Sequence, residues 1–189
     1  LPMVAIVGTR KPSIYGEQTT YRLAYELASA GICIVSGLAY GIDAIAHKAA
    51  LEAEGKVVAV LGTPLDTIYP ASNRNLAKRI LSNNGAIISE YAVGSKTQRF
   101  NFPARNRIIA GLSIATIITE ADAKSGSLIT ANFAINNDRL VMAIPGNINR
   151  PRSAGPNNLI KLGAKLITGA TDVLAELELK SNITAFIRA

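Results

Sequence analysis

Seven cations of this chain fall in the stretches that follow apolar runs: Arg10 and Lys11, Lys96 and Arg99, Lys124, and Arg150 and Arg152. The same kind of stretch carries Gly8, Gly37, Gly41 and the turn Ser125-Gly126-Ser127, each followed by residues with helical spacing. Cations beside the free N–H groups of helix starts bind anions, and phosphate above all. Nucleotide chemistry of the familiar kinds is excluded. After the first apolar run stands Gly8-Thr-Arg-Lys-Pro-Ser13 in place of G-x-G-x-x-G, and no G-x-x-x-x-G-K-[ST] occurs anywhere. Neither NAD chemistry nor P-loop ATP hydrolysis is therefore expected. The single histidine, His47, sits four residues after Asp43 on what reads as the polar side of a helix. The pair is expected to be a structural i,i+4 couple, with a catalytic acid/base pair as the alternative. Ser36 has no nucleophile-elbow sequence around it. The lone Cys33, in an apolar strand, makes neither an intrachain disulfide nor a zinc cluster and reads as a small buried residue. No catalytic residue, metal or cofactor is expected.

The elements that position these residues repeat one unit. Met3 to Val7 read as a strand, followed by a turn and a helix from Gly16 to Ala30. Ile32 to Val35 form the second strand, and the turn Ser36 to Gly41 opens a helix running to about Glu54, whose first-turn N–H groups are expected to face a ligand. Lys56 to Leu61 form a third strand, with a helix from about Asn73 to Leu81, and Ala86 to Ser89 form a fourth. A polar surface segment, Gly94 to Asn101, precedes a helix from Phe102 to Leu112. The β-branched run Ile114 to Thr119 reads as a central strand buried on both faces. A helix from Leu128 to Asn137, a strand from Leu140 to Ile144, a polar loop to Pro156, a short helix Asn157 to Leu162 and a strand Lys165 to Thr168 complete the pattern. Alternating strands and helices predict a single α/β domain, a doubly wound and mostly parallel sheet of extended Rossmann-like type. Ligands of such sheets bind at the carboxyl ends of the strands, so the seven cations are expected to form one positive rim.

Bulk composition agrees. The 189 residues are 49% hydrophobic and 17% charged, enough for one real core, and the net charge of +7 favours polyanionic partners. No apolar run approaches the roughly 20 residues of a membrane helix. A soluble, cytoplasmic protein with no membrane partner is expected, and a chain starting at Leu1 reads as excised from a longer polypeptide.

Several blocks, in order and over nearly the whole chain, resemble the DNA processing protein A family, also called DprA or Smf. They are Ala5-Ile-Val-Gly-Thr-Arg10, Ser36-Gly-Leu-Ala-Tyr-Gly-Ile-Asp43 with Ala46-His47, Asp66-Thr-Ile-Tyr-Pro70, Ser89-Glu90, Phe102-Pro-Ala-Arg-Asn-Arg-Ile-Ile-Ala-Gly-Leu-Ser113, Lys124-Ser-Gly-Ser-Leu-Ile-Thr-Ala131, and Ile144-Pro-Gly146 with Asn158-Leu-Ile-Lys-Leu-Gly-Ala164. The resemblance implies a recombination mediator of natural transformation, not an enzyme. It would bind single-stranded DNA in a basic pocket, form a homodimer and help load the RecA recombinase. The DNA-binding candidates are Arg10, Lys11, Ser36, Gly37, Gly41, Arg105, Asn106, Arg107, Lys124, Ser125, Gly126 and Ser127.

The chain also departs from its family. Many relatives have Arg where Tyr40 stands, a glycine near Pro64 and Arg where Asn132 stands, and Tyr40 offers a stacking surface instead. The helical N-terminal and winged-helix-like C-terminal domains of many relatives do not fit in 189 residues. An alternative is a phosphoribohydrolase-like enzyme acting on nucleoside monophosphates, with Asp43, Glu90 or Glu120 as its carboxylate, although the P-G-G-x-G-T motif of such enzymes is missing. Ile160, Leu162, Leu166 and Ile167 are expected to supply an apolar surface for self-association.

Overall fold

The structure, a computed structural model, describes residues 1–187. Seven strands, β1 (Met3–Val7), β2 (Cys33–Ser36), β3 (Val57–Val60), β4 (Ala86–Ile88), β5 (Ala115–Ile118), β6 (Leu140–Ala143) and β7 (Lys165–Leu166), form one sheet in the order β4-β3-β2-β1-β5-β6-β7. Every neighbouring pair is parallel. The helices between them are α1 (Ile14–Ser29), α2 (Ile42–Glu52), α3 (Arg74–Ser82), α4 (Asn101–Leu112), α5 (Ser127–Asn136), α6 (Ala154–Lys161) and α7 (Ala170–Ile187). The doubly wound α/β class read from the sequence is the one observed. β1 holds the centre of the sheet, and β5, expected to be central, lies directly beside it.

Strand periodicity sorts the side chains into two cores. Val4 and Ile6 of β1 pack toward Leu23 and Leu27 of α1, Ala46 and Ala49 of α2, Ile80 of α3 and Val173 of α7. Ala5 and Val7, pointing the other way, pack with Ile109 and Ala110 of α4, Ala131 and Ala134 of α5 and Leu159 of α6. Both faces of the inner strands are thus covered, which is why these runs are apolar without alternation.

Three elements differ from the sequence expectation. α6 starts at Ala154 after a 3-10 turn at Pro151–Ser153, three residues ahead of the expected Asn157, so the polar loop after β6 is shorter than it reads. The strand expected to reach Thr168 stops at Leu166, and α7 follows it. The N–H and hydroxyl of Thr168 both donate to the Asp172 carboxylate, at 2.6 and 2.9 Å, which starts α7. Ile167 is fully buried in the first core and is not part of an exposed surface, whereas Leu162 and Leu166 are exposed. Among the described residues no helix is long and apolar enough to cross a membrane.

Candidate functional site

The chain runs outward from β1 through β2 and β3 to β4, then returns to place β5 on the other side of β1. Crossovers on the two sides of that pair leave in opposite directions, and a crevice opens above their carboxyl ends. The structure has a cavity of about 510 Å³ there. The segment after β1 supplies Gly8, Thr9, Arg10 and Lys11 to its wall, and the start of α4 supplies Phe102, Arg105 and Asn106. The loop after β5 and the start of α5 add Asp122, Ser125, Gly126 and Ser127, and Arg152 closes the β6 side. The expected rim narrows accordingly. Arg10, Lys11 and Arg152 line the cavity and Lys124 adjoins its Ser125, while Lys96, Arg99 and Arg150 lie outside the lining.

The turn between β2 and α2 does a different job from the one expected of it. Gly41 takes φ 71°, a conformation that favours glycine, and this lets the backbone of Thr9 and Arg10 cross closely above it. The Ile42 N–H, expected to be free, donates to the Thr9 carbonyl at 3.2 Å. The Gly37 N–H donates to the Asp43 carboxylate at 3.0 Å. Ser36 is fully buried and its hydroxyl donates to the Ile6 carbonyl at 2.7 Å. Ser36, Gly37 and Gly41 therefore shape the floor behind the cavity, whose wall is completed by the start of α5.

At that start, Ser125 Oγ accepts the Ser127 N–H at 3.4 Å and lies 2.8 Å from Ser127 Oγ, so the turn offers the cavity two serine hydroxyls. Asn106 ties α4 to this turn by donating to the Gly126 carbonyl at 3.3 Å. Three successive residues of α4 thus point three ways, as 100° per residue requires. Asn106 faces the cavity, exposed Arg107 turns outward to pair with Glu90, and Arg105 turns inward.

Arg105 is 4% exposed. Its guanidinium donates to the carbonyls of Gly37, at 2.8 Å, and of Val60, and its Nε donates to Asn106 Oδ1 at 3.2 Å. Burial pushes its pKa down and Asp43 opposes that shift; burial likewise pushes the Asp43 carboxyl up, against the pull of Arg105 and the backbone N–H groups. A buried cation thus forms part of the cavity floor. Buried position was legible in the spacing, because Asn101, Arg105 and Ile109 recur every four residues on the stripe of α4 that faces the sheet.

His47 corrects the expectation of a polar helix face. The ring is fully buried, and neither nitrogen makes a full hydrogen bond. Burial, with Arg105 adding to it, lowers its pKa to about 3, so it is a neutral core residue. The carboxylates considered for an enzyme are each engaged: Asp43 by Gly37, Glu90 by Arg107, and Glu120 by the N–H and hydroxyl of Ser13.

Comparison with known proteins places this geometry in context. A model of the DNA recombination-mediator protein A family matches residues 1–178. Protein Smf of Synechocystis is 49% identical over 177 residues, covering 94% of this chain and 44% of that protein. DNA processing protein DprA of Streptococcus pneumoniae is 48% identical over 177 residues, covering 94% and 62%. The chain thus spans about half the length of such relatives. The crystal structure of the S. pneumoniae protein superposes with a TM-score of 0.86 at 47% identity, covering 93% of this chain and 61% of that one. DNA processing protein A of Helicobacter pylori, whose structure concerns its single-stranded DNA binding mode, superposes at 0.85 with 37% identity, covering 95% and 81%. A molybdenum cofactor binding protein of Rippkaea orientalis, at 18% identity and a TM-score of 0.67, shares the fold alone. With its sheet order, its motifs and the family match running through residues 1–178, this chain belongs to the DNA recombination-mediator protein A (DprA/Smf) family.

Proposed function

We propose that residues 1–189 form a Rossmann-like domain that binds single-stranded DNA as part of a recombination mediator. The observation that carries this is the cavity at the β1–β5 switch point, where Arg10, Lys11 and Arg152 meet the hydroxyls of the Ser125-Gly126-Ser127 turn. Phosphate oxygens pair with such cations and accept from such hydroxyls without regard to sequence. Arg10, Lys11, Asn106, Lys124, Ser125, Gly126 and Ser127 contact the strand in this proposal. Ser36, Gly37, Gly41 and Arg105 hold the floor, and Arg107 belongs to the outer rim. The H. pylori relative, studied for single-stranded DNA binding, supports the choice of ligand.

In the cell this domain would act in the cytoplasm, protecting incoming strands during natural transformation and helping to load RecA. It would work as a dimer through the exposed Leu162 and Leu166 region. Fluorescence anisotropy with labelled oligo(dT) and with a duplex of equal length tests the binding. Tighter binding of the single strand is expected, and equal affinity for both would overturn the proposal. Sedimentation at micromolar concentration tests the dimer, and co-sedimentation with RecA on oligo(dT) tests the loading.

A further inference from the structure

Resting on that DNA-binding proposal, we infer that Tyr40 and Tyr69 form a stacking ledge for a nucleobase of the strand whose phosphates enter the cavity. A shallow cleft opens beside the main cavity, and the two share Arg10, Ala39, Phe102 and Arg105 in their walls. Tyr40 and Tyr69 line this cleft while staying 48% and 49% exposed. The Tyr69 ring is braced from behind by Phe102, with ring centroids 5.3 Å apart and planes at 50°.

One half-exposed tyrosine would be an ordinary surface residue. Here two share one cleft, and that cleft adjoins a cationic cavity. Other exposed tyrosines are engaged within the chain: Tyr15 donates to the Pro145 carbonyl at 2.7 Å, Tyr21 to Glu52 at 2.6 Å, and Tyr25 stacks on Tyr21 with centroids 6.2 Å apart. Among the described residues no hydrogen bond holds the hydroxyl of Tyr40 or Tyr69. Their faces and hydroxyls are available to a guest. A cationic groove that tracks phosphates, flanked by aromatic faces for the bases, is how single strands are held without sequence preference. A paired base hides its faces in the stack, so the ledge selects single strands over duplex.

The test uses the full chain with oligo(dT) of about 16 nucleotides and an abasic strand with the same number of phosphates. The parent is expected to bind oligo(dT) more tightly than the abasic strand. Tyr40→Ala and Tyr69→Ala should each weaken oligo(dT) binding about tenfold, leave abasic binding unchanged and keep the salt slope. Tyr40→Phe should bind like the parent. Tyr40→Arg should steepen the salt slope by about 0.7 while losing the preference for bases. Circular dichroism confirms that each variant is folded. A parent that binds both strands alike, or a Tyr40→Ala loss that is equal on both, overturns the ledge and leaves the DNA-binding proposal standing. A parent that binds neither strand overturns both.

Discussion

The guanidinium of Arg105 lies over the backbone of Gly37, so close that a Cβ at position 37 would come within 2.6 Å of Nη2 and 2.7 Å of Cζ. A long side chain normally swings away from such a clash, but this one is buried and bonded to the Gly37 and Val60 carbonyls. Gly37→Ala is therefore expected to cost about 1–3 kcal/mol of stability, the range for overpacking, read as a lower urea midpoint. A midpoint equal to that of the parent would mean Arg105 is free to move.

Arg105 and Asp43 form a buried pair whose members depend on each other. Each opposes the shift that burial imposes on the other, so Arg105→Met and Asp43→Leu should each lower the urea midpoint. Removing both should cost less than the sum of the two, and a double-mutant cycle from denaturant melts measures that coupling. Simple additivity would show that the two groups do not interact.

His47 sets a pH dependence. In the unfolded chain it takes up a proton near its ordinary pKa, about 6.5, whereas in the folded protein it does so only near about 3. The folded state loses stability as pH falls through that window, with a slope approaching 1.36 kcal/mol per pH unit. Asp43, raised by burial, works in the opposite sense, because its neutral form is favoured in the fold and its contribution is lost as pH rises. The difference between the parent and His47→Leu isolates the histidine. Subtracting the two stability profiles from pH 7 to 4 should leave a slope of that sign, and a flat difference would rule it out.

Salt response reports the cavity itself. If about 3–5 phosphates are neutralised, log K against log salt should slope roughly −2 to −3.5. Arg10→Ala and Lys124→Ala should each reduce the magnitude of that slope by about 0.7, and the double variant should lose more than either. Lys124 is exposed beside the start of α5, where a cation opposes the helix dipole, so its removal should leave the melting temperature unchanged or slightly raised. Unchanged affinity and slope in Lys124→Ala would place the strand elsewhere.

Order and type of the elements from β1 to β7 were legible because apolar runs alternate with runs of helical period, whereas α7 was not read from the sequence. The switch point followed once the sheet was known. Direction was harder to read. Arg10, Arg105 and Arg107 are one residue type, yet one lines the cavity from a loop, one is buried in its floor and one turns outward to Glu90. Net charge cannot separate them: Arg10 is placed by the segment after β1, and Arg105 and Arg107 by their helical angles on α4. His47 misled for a related reason. Polar type placed it on the polar face, but the sheet and α1 leave α2 almost no solvent-facing stripe, with eight of its eleven residues buried.

Main-chain bonds run directly between the segments that frame the hollow above β1 and β5. The Thr9 N–H bonds the Glu120 carbonyl at 2.7 Å, the Ala121 N–H bonds the Arg152 carbonyl at 2.8 Å, and the Gly155 N–H returns to the Ala121 carbonyl at 2.8 Å. These bonds are indifferent to which side chains the strands and loops carry. Shape is thereby inherited with the backbone, while chemistry is written separately in Arg10, Lys11 and Tyr40 on its lip. Exchanging those residues retunes what the hollow accepts without recutting it, so a single frame can drift between guests one substitution at a time.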